Sequence, residues 1–174
     1  MTQQTKINRD RTAVVIMDFQ NDIVNNVASE SPNVVQRAAQ VLAGARKAGI
    51  PVLYIQHRGG QYAEDRPGTE ICAGVAPAAG ERVLRKTKGG AFSTTALDVT
   101  LREMGRDTLV LMGVATSGCV LSTVRWATDI NYSLIVVADA CADRDPEVHR
   151  VLTEKIYPRQ ATVLTAQAFV QALG

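Results

Sequence analysis

Six short apolar runs rich in β-branched residues recur along this chain. All but the second are followed by a stretch of helical composition, and that alternation is the signature of βαβ units on a parallel sheet. The runs fall near 12–18, 51–57, 82–86, 107–113, 133–139 and 160–164, and helices are expected at 33–48, 95–104, 118–130, 146–157 and 165–173. Leu134-Ile-Val-Val-Ala138 is apolar without interruption, as suits a strand covered on both faces. The expected fold class is α/β: a three-layer, doubly wound, six-stranded parallel sheet with helices on both faces. Right-handed crossovers restrict the topology, and the most economical order reverses beside the first strand, placing the first and fourth strands side by side. Ligands bind such sheets at the carboxyl ends of the strands, in the crevice where the order reverses.

Local punctuation agrees with this reading. Ser31-Pro32 opens the first helix, with proline at an early position, and Gly49 followed by Pro51 ends it. Asp145-Pro146-Glu147 has the form of a cap, a first-turn proline and an acid suited to the helix dipole. The longest irregular stretch, 58–80, holds Gly59-Gly60, Pro67-Gly68 and Pro77, and a loop of that length in a compact domain is a candidate lid or pocket wall. No repeat or linker interrupts the 174 residues, which read as one domain, 1–174.

Charge excludes some partners. Nineteen Lys and Arg stand against 17 Asp and Glu, so no electrostatic footprint for nucleic acid is present. No apolar stretch reaches membrane-spanning length, and Met1 to Asp10 is polar, without an apolar signal core. The three cysteines, Cys72, Cys119 and Cys141, are an odd number without framework spacing, which suits a reducing compartment; the cytoplasm is the expected location. Cys72 and Cys141 are read as structural.

Three polar residues fall on the expected binding edge: Asp18 after the first run, Lys86 after the third, and Cys119 shortly after the fourth. Together they supply an acid, a cation and a nucleophile, the parts that thiol-based amide hydrolysis needs. Gly113 to Arg125 reads as strand, tight turn and helix, with Cys119 in the first helical turn and Thr116 or Ser117 as cap. A helix N-terminus and a nearby lysine both favour a thiolate. Two other motifs fail on inspection. Gly113 and Gly118 have P-loop spacing, but Cys119-Val120 stands where Lys-Ser/Thr should be. Cys119 and Arg125 have the spacing of cysteine phosphatases, yet the helical Val120-Leu-Ser-Thr-Val124 turns Arg125 away.

Asp18-Phe-Gln-Asn-Asp22, Lys86-Thr-Lys-Gly-Gly-Ala-Phe92, Gly113-Val-Ala-Thr-Ser-Gly-Cys119-Val120 and Asp139-Ala-Cys-Ala-Asp-Arg-Asp145 occur in that order. Together they resemble the isochorismatase-like cysteine hydrolase superfamily, from about residue 11 to the C-terminus. The resemblance implies a Rossmann-type six-stranded sheet, dimers or larger homo-oligomers, and an Asp-Lys-Cys triad that falls on Asp18, Lys86 and Cys119. Lys86 is preferred to Lys88 because relatives place the lysine six residues before the phenylalanine matched by Phe92. It also implies a non-proline cis peptide at Val114–Ala115, aiming N–H groups at an oxyanion. Nicotinamidases of this superfamily bind a metal through Asp-x-His and a further His. Here the region reads Tyr54-Ile-Gln-His-Arg-Gly59, so neither metal nor cofactor is expected. Lys88-Gly-Gly-Ala91 departs from relatives with bulkier side chains there, which reshapes the pocket wall.

The sequence therefore reads as a metal-free cysteine hydrolase that cleaves a C–N bond of a small amide, carbamoyl or ureido substrate through a thioester. Phe19, Phe92 and Trp126 are candidate apolar walls, with Trp126 alternatively a helix or subunit contact. His57, Arg58 and Thr116 are candidate substrate contacts. Two alternatives stand beside this reading: an isochorismatase-type enol-ether hydrolase, and a non-catalytic binding or assembly module on the same fold.

Overall fold

The structure, a computed structural model, describes residues 7–28 and 33–174. Its strands are β1 (Thr12–Met17), β2 (Val52–His57), β3 (Arg82–Lys86), β4 (Thr108–Val114), β5 (Ser133–Ala142) and β6 (Thr162–Leu164). They form one parallel sheet in the order β3-β2-β1-β4-β5-β6. The expected reversal beside β1 is present: Val14 lies opposite Val110, and Met17 opposite Gly113. All six residues of β1 are buried, because layers cover both faces of the sheet centre. At the edge the opposite holds, and Lys86 is the only buried residue of β3.

The helices are α1 (Asn21–Val27), α2 (Val34–Lys47), α3 (Leu97–Glu103), α4 (Leu121–Asp129), α5 (Pro146–Val151) and α6 (Ala166–Ala172). The β1–α2–β2 crossover runs one way across the sheet and β4–α4–β5 the other, so right-handedness puts α2 and α4 on opposite faces. In α2 the residues Val34, Ala38, Val41, Leu42 and Ala45 are buried, an apolar stripe of helical period. Gly44 lets α6 approach closely, since a β-carbon there would lie 3.0 Å from Val170 Cγ2. The expected start of α2 at Ser31-Pro32 lies outside the described residues. Its end is as expected: Gly49 takes φ +70°, and the Ile50 N–H closes on the Ala45 carbonyl at 2.9 Å.

Three expectations need correction. The helix expected over 118–130 begins instead as a wide π turn, Thr116–Val120, before α4. The helix expected over 146–157 starts on its Asp145 cap, whose Oδ1 accepts the Glu147 N–H at 2.9 Å, but it is α-helical only to Val151. Beyond that it loosens into a π turn and a final 3-10 turn at Tyr157–Arg159. Pro158 has no N–H to continue the ladder. Finally, β5 runs on to Ala142, past a register irregularity: Leu111 faces Val136, but Gly113 already faces Cys141.

Candidate active site

β1 and β3 are separated by β2, so their axes lie roughly 9–10 Å apart. Only a long side chain on one of them spans that gap. Lys86, at the end of β3, reaches across β2, and its Nζ lies 2.8 Å from Asp18 Oδ2. Both side chains are nearly sealed from solvent, at 2% and 7% exposure. Lys86 Nζ also donates to the Lys88 carbonyl at 3.0 Å and meets His57 Nδ1 at 3.5 Å. Lys88 itself is exposed and contributes only this carbonyl. Asp18 leaves β1 with φ +58°, a left-handed conformation that aspartate tolerates better than most residues. Its N–H is tied to the Ile55 carbonyl at 2.9 Å.

Cys119 enters from β4. A β-carbon on Gly113 would lie 3.0 Å from the Cys119 sulfur and 3.1 Å from Met17 Cβ, so the thiol occupies the space where a side chain at 113 would stand. The Val114–Ala115 peptide is cis. The Ala115 carbonyl accepts from the Gly118 N–H at 3.2 Å and the Val120 N–H at 3.3 Å, and from the Cys119 thiol at 3.5 Å.

The turn carrying Cys119 is braced by residues that sequence reasoning did not single out. Asp143 Oδ2 accepts the Ser117 N–H at 2.6 Å, and the Tyr157 hydroxyl donates to the Thr116 carbonyl at 2.6 Å. Thr116 Oγ1 lies 2.8 Å from His149 Nδ1. Neither Thr116 nor Ser117 caps the following helix: the Ser117 N–H is taken by Asp143, and the Thr116 hydroxyl is turned to His149. A signal for Asp143 was available: it belongs to the stretch 139–145, one of the four motifs that carried the resemblance.

Electrostatics overturn one expectation. Burial pushes the Cys119 thiol well above its usual range, and the Asp18 carboxylate beside it adds to that. The pull of Lys86 in the other direction is smaller, so the resting sulfur is a thiol. Burial also raises Asp18, to about 6, against the opposing pull of Lys86 and the thiol. At neutral pH the pair is thus a carboxylate next to a thiol. Cys119 retains 3% exposure, and Asp18 Oδ1 is buried without a hydrogen-bond partner among the described residues.

The remaining candidates are dispersed. Phe19 is 2% exposed, within the core, and its carbonyl accepts the Cys72 N–H at 2.8 Å. Phe92 lies against Tyr132 with ring centroids 5.8 Å apart. Trp126 is 48% exposed, which corrects its reading as a pocket wall within one chain. Arg58 pairs with Asp65. With Gln56, Arg66 and Arg85 it lines an open cleft of about 640 Å³ whose walls include none of Asp18, Lys86 or Cys119. Arg125 points away as expected, to Gln160 at 2.6 Å. Cys72 and Cys141 are buried free thiols. Among the described residues no three His, Cys, Asp or Glu side chains converge as metal ligands, and no helix is long and apolar enough to cross a membrane.

The 58–80 segment is fastened behind the acid. Asn21 and Asp22 donate their N–H groups to the Glu70 and Gly68 carbonyls at 3.1 and 2.9 Å. The side-chain amides of Gln20 and Gln56 both reach the Thr69 carbonyl, at 2.9 and 3.0 Å.

An isochorismatase domain matches residues 12–168, and the chain belongs to the isochorismatase family of hydrolases. Maleamate amidohydrolase of Pseudomonas putida is 31% identical to it, over 94% of this chain and 87% of its own length. The fold closely follows an isochorismatase family protein from Burkholderia thailandensis, with a TM-score of 0.88, 28% identity and coverage of 98% and 99% of the two chains. N-carbamoylsarcosine amidase from Thermoplasma acidophilum superposes with a TM-score of 0.78 at 30% identity, covering 90% of this chain and 96% of its own.

Proposed function

We propose that this chain is a cysteine-dependent amidohydrolase that cleaves the C–N bond of a small amide, carbamoyl or ureido substrate. The observation that carries this reading is the Asp18 carboxylate. One oxygen is held 2.8 Å from Lys86, the other is buried without a partner among the described residues, and the carboxyl group neighbours the Cys119 thiol. That free oxygen is the acceptor a general base needs.

In the proposed sequence Asp18 takes the thiol proton as the sulfur attacks the substrate carbonyl. The negative charge that moves onto the carbonyl oxygen is received by the N–H groups of Ala115 and Cys119. Asp18 returns the proton to the leaving nitrogen, the C–N bond breaks, and the acyl group remains as a thioester. Water then gives a proton to Asp18 and its hydroxide to the acyl carbon. The C–S bond breaks, and the proton on Asp18 restores the thiol. Lys86 remains charged throughout and holds the carboxylate in line. Relatives named as maleamate amidohydrolase and N-carbamoylsarcosine amidase support amides and carbamoyl compounds as the first substrates to try.

The test is ammonia release from a panel of small amides, ureas and carbamoyl compounds, with intact-mass analysis for an acyl adduct on Cys119. Cys119→Ala and Asp18→Asn should each abolish turnover. Full activity of Cys119→Ala on the best substrate would overturn the nucleophilic scheme and favour ether cleavage by the acid alone.

A further inference from the structure

The Lys86 ammonium is buried, at 1% exposure, and carries three N–H donors. Two have strong acceptors: Asp18 Oδ2 at 2.8 Å and the Lys88 carbonyl at 3.0 Å. The third faces His57 Nδ1 at 3.5 Å. An ammonium only donates, so this long contact is favourable only when Nδ1 offers its lone pair. The imidazole must then be neutral, with its hydrogen on Nε2.

Several features hold the ring in that place. Gln20 clamps the backbone on both sides, its Oε1 accepting the His57 N–H at 2.7 Å and its amide donating to the His57 carbonyl at 3.2 Å. The ring meets Tyr62 edge to face, with centroids 5.4 Å apart. A β-carbon at Gly59 would lie 3.1 Å from His57 Cε1 and 2.4 Å from the Thr87 carbonyl oxygen, so only glycine fits beneath it. Tyr62 faces the ring from the 60–62 turn, with Arg66 over the tyrosine at 5.9 Å. Lys86 faces it from β3, and Asp18 from β1 acts through Lys86. The charge that acts on the ring among the described residues is the Lys86 cation.

We propose that His57 is a positioning residue: a neutral, Nε2-protonated imidazole that accepts the third N–H of Lys86 and so fixes the lysine against Asp18. A histidine at the end of β2 then completes the shell of the buried cation. Protonation of the ring would set two cations against each other and release Lys86. Burial and the Lys86 charge both lower His57 from its usual range, in keeping with a ring that stays neutral. The inference rests on the proposed role of Lys86 for its consequence in turnover, but not for its structural test.

That test is imidazole 1H–15N NMR on the full chain, which has only two histidines. His57 should show the Nε2–H tautomer and titrate below about 6.5, and in Lys86→Met its midpoint should move up towards that value. An Nδ1–H tautomer, or an unchanged midpoint in Lys86→Met, would overturn the proposal whether or not any amide is hydrolysed. With a substrate in hand, His57→Asn places an amide oxygen near the position of Nδ1 and should keep kcat within about threefold. His57→Phe should lower kcat by about tenfold or more with KM little changed. Equal kcat for His57→Phe and wild type would also overturn it. Should His57→Phe fail to fold, the Asn variant and the NMR titration still decide.

Discussion

Gly113 and Cys119 are in close approach: a β-carbon at 113 would lie 3.0 Å from the Cys119 sulfur, tighter than ordinary van der Waals contact. Val120 Cγ2 and Met17 Cβ would stand at 3.0 and 3.1 Å from the same β-carbon, so it is crowded on three sides. Gly113→Ala is therefore expected to shift the sulfur by a few tenths of an ångström. A full ångström of misplacement costs about 10²-fold in rate, so a loss of about tenfold is expected, while overpacking costs about 1–3 kcal/mol of stability. Turnover measured alongside a denaturant midpoint should show a rate loss far exceeding the loss of fold.

The buried Asp18–Lys86 pair should respond asymmetrically to substitution. Lys86→Met leaves a carboxylate in a dry site without its counter-charge, a situation that costs about 3–5 kcal/mol. Adding Asp18→Asn removes that charge, and asparagine accepts the left-handed backbone at 18. The double variant should be more stable than Lys86→Met alone in urea denaturation. A double variant less stable than the single one would mean that the pair is not the dominant electrostatic feature of the site.

The pH profile should follow from Asp18. Its carboxyl is raised to about 6 by burial, and the reaction needs the ionised form, so kcat/KM should fall as pH drops through about 6. Stability carries the opposite sign. A folded-state value above the unfolded one favours the fold below about 4, and that contribution is lost as pH rises through about 6. Substrate-free Cys119 should alkylate slowly at neutral pH, because burial holds it as a thiol. Iodoacetamide labelling followed by peptide mass mapping reads this directly; rapid labelling at pH 7 would contradict it.

Tyr157→Phe should probe the brace behind the nucleophile. The substitution removes the 2.6 Å hydrogen bond to the Thr116 carbonyl, which keeps the Leu121 N–H as its other donor, at a cost of about 0.5–1.5 kcal/mol. Thermal unfolding gives that figure. Turnover should also fall, since Thr116 opens the turn that carries Cys119.

Much of this architecture was legible in the chain. The reversal beside β1, with β4 as its neighbour, followed from crossover handedness and the economy of the connections, and the edge positions of Asp18, Lys86 and Cys119 followed from where the strand-like runs stop. What escaped has physical reasons. α1 is seven residues long and buries only Ile23, too little for a helical period to stand out. The π turn at Thr116–Val120 keeps helical composition while changing the bond pattern, so composition cannot reveal it. The hold of Asp143 on Ser117 spans 26 positions and arises only once β5 lies beside β4. The burial that keeps Cys119 protonated is likewise a tertiary property. A helix tip taken from sequence alone suggests a thiolate, and the low-dielectric surroundings reverse the sign.

The convergence of Gln20 and Gln56 on the Thr69 oxygen bears on redesign. The Thr69 carbonyl is the one point of the 58–80 loop that both amides grip, beside the Gly68 and Glu70 carbonyls, the Cys72 N–H and the Arg66–Asp22 ion pair that also fasten the loop. Outward residues of the loop that make none of these contacts should tolerate exchange, provided the Thr69 carbonyl stays in register with the two amides. A graft displaced by one position would pull on Gln20 and, through its clamp on the end of β2, disturb the buried lysine some distance from the altered residues.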